Sequence, residues 1–140
     1  HTADSLEKVY QSLSGKRLVG ILGNTGGGRD KWKRPEMGKV ADRYCDSIIL
    51  TNEDPYDEDP QQIVDDMAKG ITTKTYDIVM DRRQAIHKAL QSAKAGDAVI
   101  ITGKGTDPYI MGPRGAKTPW DDATVVREEL EKHLESVKLV

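Results

Sequence analysis

Two kinds of hydrophobic pattern alternate along this chain. Short continuous apolar runs, typical of strands buried on both faces, lie at residues 18–23, 47–51, 77–80 and 98–102. Between them apolar residues recur every three or four positions, which predicts amphipathic helices at residues 4–13, 35–45, 59–69, 81–95 and 121–137. A Gly-Pro pair at residues 112–113 predicts a short hairpin over residues 109–117.

This alternation predicts an α/β fold of three layers, with a mostly parallel sheet flanked by helices. In such a sheet the loops that follow the strands lie at the carboxyl edge, where ligands bind. Three loops are therefore expected to share one rim: residues 23–33, 52–59 and 103–107. No repeat or linker interrupts the pattern, so residues 1–140 are predicted to form a single domain.

The composition excludes several classes of protein. The net charge is 21 − 23 = −2, which argues against nonspecific binding to nucleic acid. No apolar run approaches the roughly 20 residues of a membrane span. Cys45 is the only cysteine and the three histidines are far apart, so neither an intrachain disulfide nor a metal site is expected. A reducing, cytoplasmic setting fits, and a start at His1 without methionine indicates a domain of a longer protein.

Opposite charges follow the first two strands. A glycine-rich loop, residues 23–28, runs into the cations Arg29, Lys31, Lys33 and Arg34, whereas residues 53–66 hold seven acidic residues and no lysine or arginine. A basic loop beside an acidic one suits a zwitterion such as an amino acid, and two solvated loops are the alternative. The glycine-rich loop lacks the dinucleotide fingerprint, and it has Arg29 and Asp30 where the phosphate-binding P-loop has Lys and Ser/Thr.

Three ordered motifs, GGGRDKWKRPEMG, TNEDP and GKGTDPY, together with the opening HTADSLEKV, resemble the C-terminal domain of Mur ligases. Within that family the muramoyl-tripeptide synthetases (the MurE type) are the most similar. The resemblance implies a Rossmann-like domain of an enzyme that joins an amino acid to UDP-MurNAc-L-Ala-D-Glu in peptidoglycan precursor synthesis. It also implies that ATP and Mg²⁺ are bound mainly by a central domain that this chain lacks, so that this domain alone does not turn over and holds no catalytic residue.

The resemblance implies roles for individual residues of the rim. Arg29 matches the arginine that holds the carboxylate of the amino acid, and a bidentate arginine suits that role. Residues Glu53, Asp54, Pro55 and Tyr56 occupy the recognition tetrapeptide, which reads D-N-P-R in members that add diaminopimelate. Because Tyr56 replaces the arginine that grips the second carboxylate, and acidic residues surround it, lysine or ornithine is favoured over diaminopimelate.

Further positions complete the expected site. Gly103 matches a glycine where the backbone approaches the substrate, Asp107 takes the place of a glutamate that contacts an ammonium group, and Thr106 replaces a histidine. The residues expected to face an anion or the nucleotide are His1, Lys31, Lys33 and Arg34. The expected partners are the amino acid, the UDP-linked muramoyl dipeptide and the central domain of the parent chain, with no nucleic acid and no membrane.

Two other functions remain open. A ligase similar to folylpolyglutamate synthase shares the domain architecture but takes glutamate, which suits an acidic loop poorly. A stand-alone module that binds amino acids or nucleotides without catalysis is the other alternative.

Overall fold

The computed structural model describes residues 3–28, 30–104 and 107–138, with side chains up to residue 134. Five helices are formed, close to where the apolar periodicity predicts them. They are α1 (Ala3–Ser12), α2 (Arg34–Tyr44), α3 (Pro60–Ala68), α4 (Arg82–Ser92) and α5 (Asp122–Lys138). Six short strands accompany them: β1 (Leu18–Leu22), β2 (Ser47–Leu50), β3 (Tyr76–Ile78), β4 (Ala98–Ile101), β5 (Tyr109–Met111) and β6 (Lys117–Pro119).

Four of these strands form a parallel sheet in the order β3-β2-β1-β4. The remaining two, β5 and β6, pair as an antiparallel hairpin, as the Gly-Pro pair predicts. The third strand lies at the sheet edge and is Tyr76–Ile78 rather than the expected residues 77–80, and its side chains are exposed. An edge strand has one neighbour, so its apolar run is shorter and carries a weaker signal.

The two central strands, β1 and β2, are buried on both faces, which explains their uninterrupted apolar runs. On one face Leu18 and Leu22 pack against α1, α2 and α3. On the other face Val19 and Ile21 pack against α4 and α5. Alternate residues of β1 thus belong to different cores, as the two-residue period of a strand requires. The result is the three-layer α/β fold that the sequence predicts.

Helices α2 and α3 approach each other closely at two glycines. Gly38 lies against the carbonyl of Met67, and Gly70, just after α3, lies against the carbonyl of Pro35. A Cβ atom at either position would overlap the opposing backbone. Cys45, which was expected inside a helix, instead ends α2 and is buried beneath Tyr10 and Gly20.

The loops that follow β1, β2 and β4 meet at the carboxyl edge of the sheet. Because β1 lies between β2 and β4, the glycine-rich loop (residues 23–28) is central. We call residues 52–59 the acidic loop and residues 103–107 the β4 loop, of which residues 105 and 106 lie outside the described part. No helix of the described residues is long and apolar enough to cross a membrane.

Candidate functional site

The glycine-rich loop is bound along its length to the acidic loop. The Gly26 amide donates to the carbonyl of Asp54 at 2.7 Å, and Thr25 Oγ1 donates to Glu53 Oε2 at 3.1 Å. A Cβ atom at Gly26 would overlap the carbonyl of Pro55. Glycine at this position therefore serves the close approach of a second protein segment. Gly27 and Gly28, by contrast, face open space and adopt positive φ angles of 99° and 83°.

The β4 loop contacts the acidic loop from the other side. Gly103 has a φ of 114°, and a Cβ atom there would overlap the Glu53 carboxylate. Lys104 Nζ lies 2.8 Å from both carboxylate oxygens of Asp54. Both side chains of this ion pair are buried, so the charge of the Asp54 carboxylate is balanced by Lys104 and not by solvent or a ligand.

The β5–β6 hairpin covers the outer side of the acidic loop. The Met111 amide donates to Asp54 Oδ1 at 2.8 Å, and its carbonyl accepts from the Tyr56 amide at 3.2 Å. The Arg114 amide, in the turn between the two strands, donates to Asp57 Oδ1 at 2.8 Å. These bonds attach the hairpin, which lies outside the main sheet, to the rim.

Three cationic side chains are buried in the described part of the chain, and all of them bind the acidic loop. Lys104 binds Asp54, Arg34 binds Glu58 at 3.0 Å, and Arg82 donates to the carbonyl of Asn52 at 3.1 Å. Arg82 also donates to the carbonyl of Thr102 at 3.0 Å and forms a bidentate ion pair with the Asp122 carboxylate. Buried charges are expensive unless they are paired, so this loop is held in one conformation by strong contacts.

The expected acidic residues are therefore less available to a ligand than the sequence indicates. Glu53 and Asp54 are buried, and Asp57 and Glu58 accept hydrogen bonds from Arg114 and Gly28. Burial raises the pKa of the Glu53 carboxyl above its ordinary value, although the Thr25 hydroxyl and Arg82 oppose that shift. The negative charge of this loop is directed largely inward.

Other predicted site residues lie open at the rim. Tyr56 has a φ of 53° and is 37 % exposed, whereas Pro55 is buried and forms the bend of the loop. The Asp107 side chain is exposed, with its carboxylate 3.7 Å from Lys104 Nζ. These two side chains lie on segments that flank the glycine-rich loop, on the acidic loop and the β4 loop respectively.

The cationic side chains that were expected to face an anion fall into two groups. Lys31 and Lys33 are exposed, and Lys33 lies 5.4 Å over the ring of Trp32. Arg34, in contrast, is 1 % exposed and enclosed by two carboxylates, so it cannot meet a ligand in this arrangement. Arg34 lies three residues before the buried Met37, so both side chains are on the inner face of α2. This spacing indicates a buried side chain, but the neighbouring cations made Arg34 look like part of an exposed cluster.

A cleft of about 660 Å³ opens beside the glycine-rich loop. Its walls come from the start of α1, from the glycine-rich loop and from the first turns before α2, including Asn24, Lys33 and the 71 % exposed Trp32. Such an exposed indole is uncommon and offers a flat surface to a planar ligand. Trp32, Lys104 and Glu58 were not expected at the site from the sequence.

The expectations for His1, Arg29 and Thr106 fall on residues outside the described part of the structure. The residues on either side of Arg29 are described: the Gly28 amide donates to Glu58 Oε1 at 2.8 Å, and Asp30 has a φ of 53°. Among the described residues, no group of three or more histidine, cysteine, aspartate or glutamate side chains is placed to hold a metal ion.

The parallel sheet and its rim of interlocked loops are typical of α/β domains that bind small molecules at the carboxyl ends of their strands. Residues 1–105 match the family model described as Mur ligase, glutamate ligase domain, and the chain belongs to that family. Its members are ATP-dependent ligases.

Individual relatives are similar along nearly the whole chain. The UDP-N-acetylmuramoyl-L-alanyl-D-glutamate–2,6-diaminopimelate ligase of Aquifex aeolicus is 46% identical over 134 residues, which cover 93% of this chain and 27% of that protein. The enzyme of the same name from Thermosynechococcus vestitus is 43% identical over 140 residues, covering 96% and 27%. A solved structure of a ligase with that name has a TM-score of 0.85 at 37% identity, covering 95% of this chain and 28% of that one. The chain thus spans about a quarter of the length of these relatives.

Proposed function

We propose that residues 1–140 form a single domain, the amino-acid-recognising C-terminal domain of a longer ATP-dependent ligase. The parent enzyme would add a diamino acid to UDP-MurNAc-L-Ala-D-Glu in peptidoglycan precursor synthesis, in the cytoplasm. The observation that carries the proposal is the joining of three loops at one edge of the sheet, with Gly26 bonded to Asp54 and Asp54 to Lys104. A preformed rim of this kind lowers the ordering cost of binding a small charged ligand.

We further propose 2,6-diaminopimelate as the amino acid, in place of the lysine or ornithine that the sequence favoured. The cationic side chain of lysine would need free carboxylates on the acidic loop. Asp54 is instead paired with Lys104, and Glu58 with Arg34, so neither carboxylate is free. The relatives reported above are named as diaminopimelate ligases, and this supports the same choice.

A second carboxylate on the substrate needs a cation, because Tyr56 stands where the resemblance implies an arginine. Arg114 is a candidate because its backbone amide binds Asp57, the residue that follows Tyr56. Its guanidinium forms no ion pair with any described residue, so it is available for a carboxylate. In this proposal the amino acid is held by Arg29 at one end, with Asp107 near an ammonium group and Gly103 beneath it. Glu53, Asp54, Pro55 and Tyr56 form the wall between them.

ATP would contact this domain only at its margin. Trp32 and Lys33 line the cleft beside the glycine-rich loop and suit an anionic, planar ligand. Lys31, which precedes Trp32, and His1, which is close in sequence to the cleft residues Ala3 and Asp4, are proposed for the same side. The described residues do not offer a carboxylate set for Mg²⁺. We propose, as the resemblance implies, that metal binding and phosphate transfer belong to the rest of the parent enzyme.

The test is ATP-dependent ligation by the longer protein that contains this chain. UDP-MurNAc-L-Ala-D-Glu is supplied with diaminopimelate, lysine, ornithine or glutamate in separate reactions, and ADP release is measured. We expect diaminopimelate to give the highest kcat/KM and Arg114→Ala to lower that value at least tenfold, with lysine use unchanged. Preference for lysine would overturn the choice of substrate, preference for glutamate would indicate the folylpolyglutamate alternative, and binding without ligation would indicate a non-enzymatic module.

A further inference from the structure

We propose that Glu58 and Arg34 are positioning residues, which hold the backbone of the glycine-rich loop in its binding conformation without touching the ligand themselves. The structural part of this inference is independent of the proposed function. Its kinetic part rests on the proposed function, because it predicts an effect on use of the amino acid.

The Glu58 carboxylate holds the end of the glycine-rich loop. Its Oε1 accepts a hydrogen bond from the Gly28 amide at 2.8 Å and another from Arg34 Nη2 at 3.1 Å. Burial raises the pKa of the Glu58 carboxyl, but the Gly28 amide and the Arg34 guanidinium together outweigh it and keep the pKa below its ordinary value. The carboxylate is thus ionised at neutral pH and forms charge-assisted bonds on both sides.

Arg34 holds the middle of the same loop. Its Nη2 also donates to the carbonyl of Thr25 at 3.3 Å, while Nη1 binds Asp66 of α3 at 3.1 Å. One guanidinium therefore joins the glycine-rich loop, the acidic loop and a helix of the core. A buried ion pair often adds little net stability over an apolar contact, so its value here lies in fixing which groups face each other.

Without these bonds the loop would have few restraints after Gly26. Gly27 and Gly28 face open space, and glycine has more conformational freedom to lose than any other residue. The Gly28 amide immediately precedes position 29, to which the carboxylate contact of the substrate is assigned. A loop that must be ordered on each binding event binds its ligand more weakly, and this predicts a higher KM.

The first experiment measures amide hydrogen exchange by NMR on this chain. Glu58→Ala is compared with Asp66→Ala, because both remove a carboxylate partner of Arg34 but only Glu58 binds the glycine-rich loop. We expect the Gly28 amide to exchange at least tenfold faster in Glu58→Ala and to be unchanged in Asp66→Ala. In Glu58→Gln, which keeps an oxygen acceptor, part of the protection is expected to return. Equal exchange at Gly28 in wild type and Glu58→Ala would overturn the proposal.

The second experiment measures steady-state kinetics of the same variants in the longer enzyme. Glu58→Ala is expected to raise the KM for the amino acid at least tenfold, with kcat and the KM for ATP within twofold of wild type. Asp66→Ala is the matched control and is expected to leave all three values within twofold. An equal rise in KM in both variants would indicate that Glu58 and Arg34 have a purely structural role, and it would overturn the proposal. If the wild-type enzyme fails to ligate any amino acid, the proposed function fails, while the exchange experiment still decides the positioning role.

Discussion

Lys104 and Asp54 form a buried ion pair whose partners are 50 residues apart in sequence, with the Lys104 ammonium 2.8 Å from both carboxylate oxygens. The Met111 amide donates a further hydrogen bond to the Asp54 carboxylate. Three segments of the rim are therefore joined at one carboxylate: the acidic loop, the β4 loop and the hairpin.

Lys104→Met is expected to lower the free energy of unfolding by about 3–5 kcal/mol, because it leaves the Asp54 carboxylate buried without its cation. Urea denaturation followed by circular dichroism measures the change. Lys33→Met, at an exposed lysine, is the control and is expected to change stability by less than about 0.5 kcal/mol. The double variant Lys104→Met/Asp54→Asn should be more stable than Lys104→Met alone, and a double variant that is less stable would contradict this account.

Gly26→Ala is expected to destabilise the domain by about 1–3 kcal/mol, because the new Cβ atom would overlap the Pro55 carbonyl and force the two loops apart. The same displacement should raise the KM for the amino acid in the longer enzyme. Gly112→Ala is a matched control, since its Cβ would meet Ala116 Cβ at an ordinary 3.6 Å and its φ is −111°. Comparable urea midpoints for the two variants would show that the contact between the loops is not tight.

Stability should depend on the ionisation of Asp42. Burial raises the pKa of this carboxyl, but hydrogen bonds from Lys74 and Thr73 outweigh it and hold the pKa below its ordinary value. A depressed pKa means that the unfolded chain binds the proton more readily. The stabilisation is thus complete above about pH 4 and is lost as the pH falls through the lower folded-state value.

Urea unfolding at a series of acidic pH values tests this dependence. Asp42→Asn should be less stable than wild type near neutral pH, and its stability should fall less steeply between about pH 4 and pH 2. Asp65→Asn, on the exposed side of α3, is the control. Parallel curves for wild type and Asp42→Asn would contradict the assignment.

Cys45 should be almost inert towards thiol reagents in the folded protein. Burial raises the pKa of this thiol to about 11, although the neighbouring Tyr10 hydroxyl and the Lys74 ammonium oppose that shift. At pH 8 the thiolate fraction is then about 200-fold smaller than that of an ordinary cysteine. Labelling with a chromogenic disulfide should be at least that much slower in the native protein than in urea. Rapid labelling of the folded chain would indicate that α1 opens readily.

The architecture of this domain could be predicted because its signals are local. Each core strand is an unbroken apolar run. Asp59 and Asp81, the first residues of two predicted helices, cap them by accepting hydrogen bonds from the amides of Gln61 and Gln84. The order of elements and the meeting of three loops at one edge follow from the parallel sheet. The weakest prediction was the edge strand β3, whose side chains are exposed and leave little hydrophobic pattern.

The electrostatics of the rim could not be predicted in the same way. Charge counting indicated a basic loop and an acidic loop that would both face a ligand. The decisive contacts join residues far apart in sequence, such as Arg34 with Glu58 and Lys104 with Asp54, and local patterns carry no record of such pairs. Arg34 was expected to face an anion, and its helical spacing from Met37 is the local signal that would have placed it on the inner face of α2.

The close contact of Gly38 and Gly70 with the opposing backbones has a mechanical consequence. Where these glycines meet the opposing backbone, no side chain lies between α2 and α3, so sliding of one helix along the other would produce a steric clash there. The glycine-rich loop leads into α2, and the acidic loop leads into α3. If the proposed parent enzyme closes a neighbouring domain over this edge, both loops should therefore move together as one rigid body, and hinge motion should be confined to segments outside the pair.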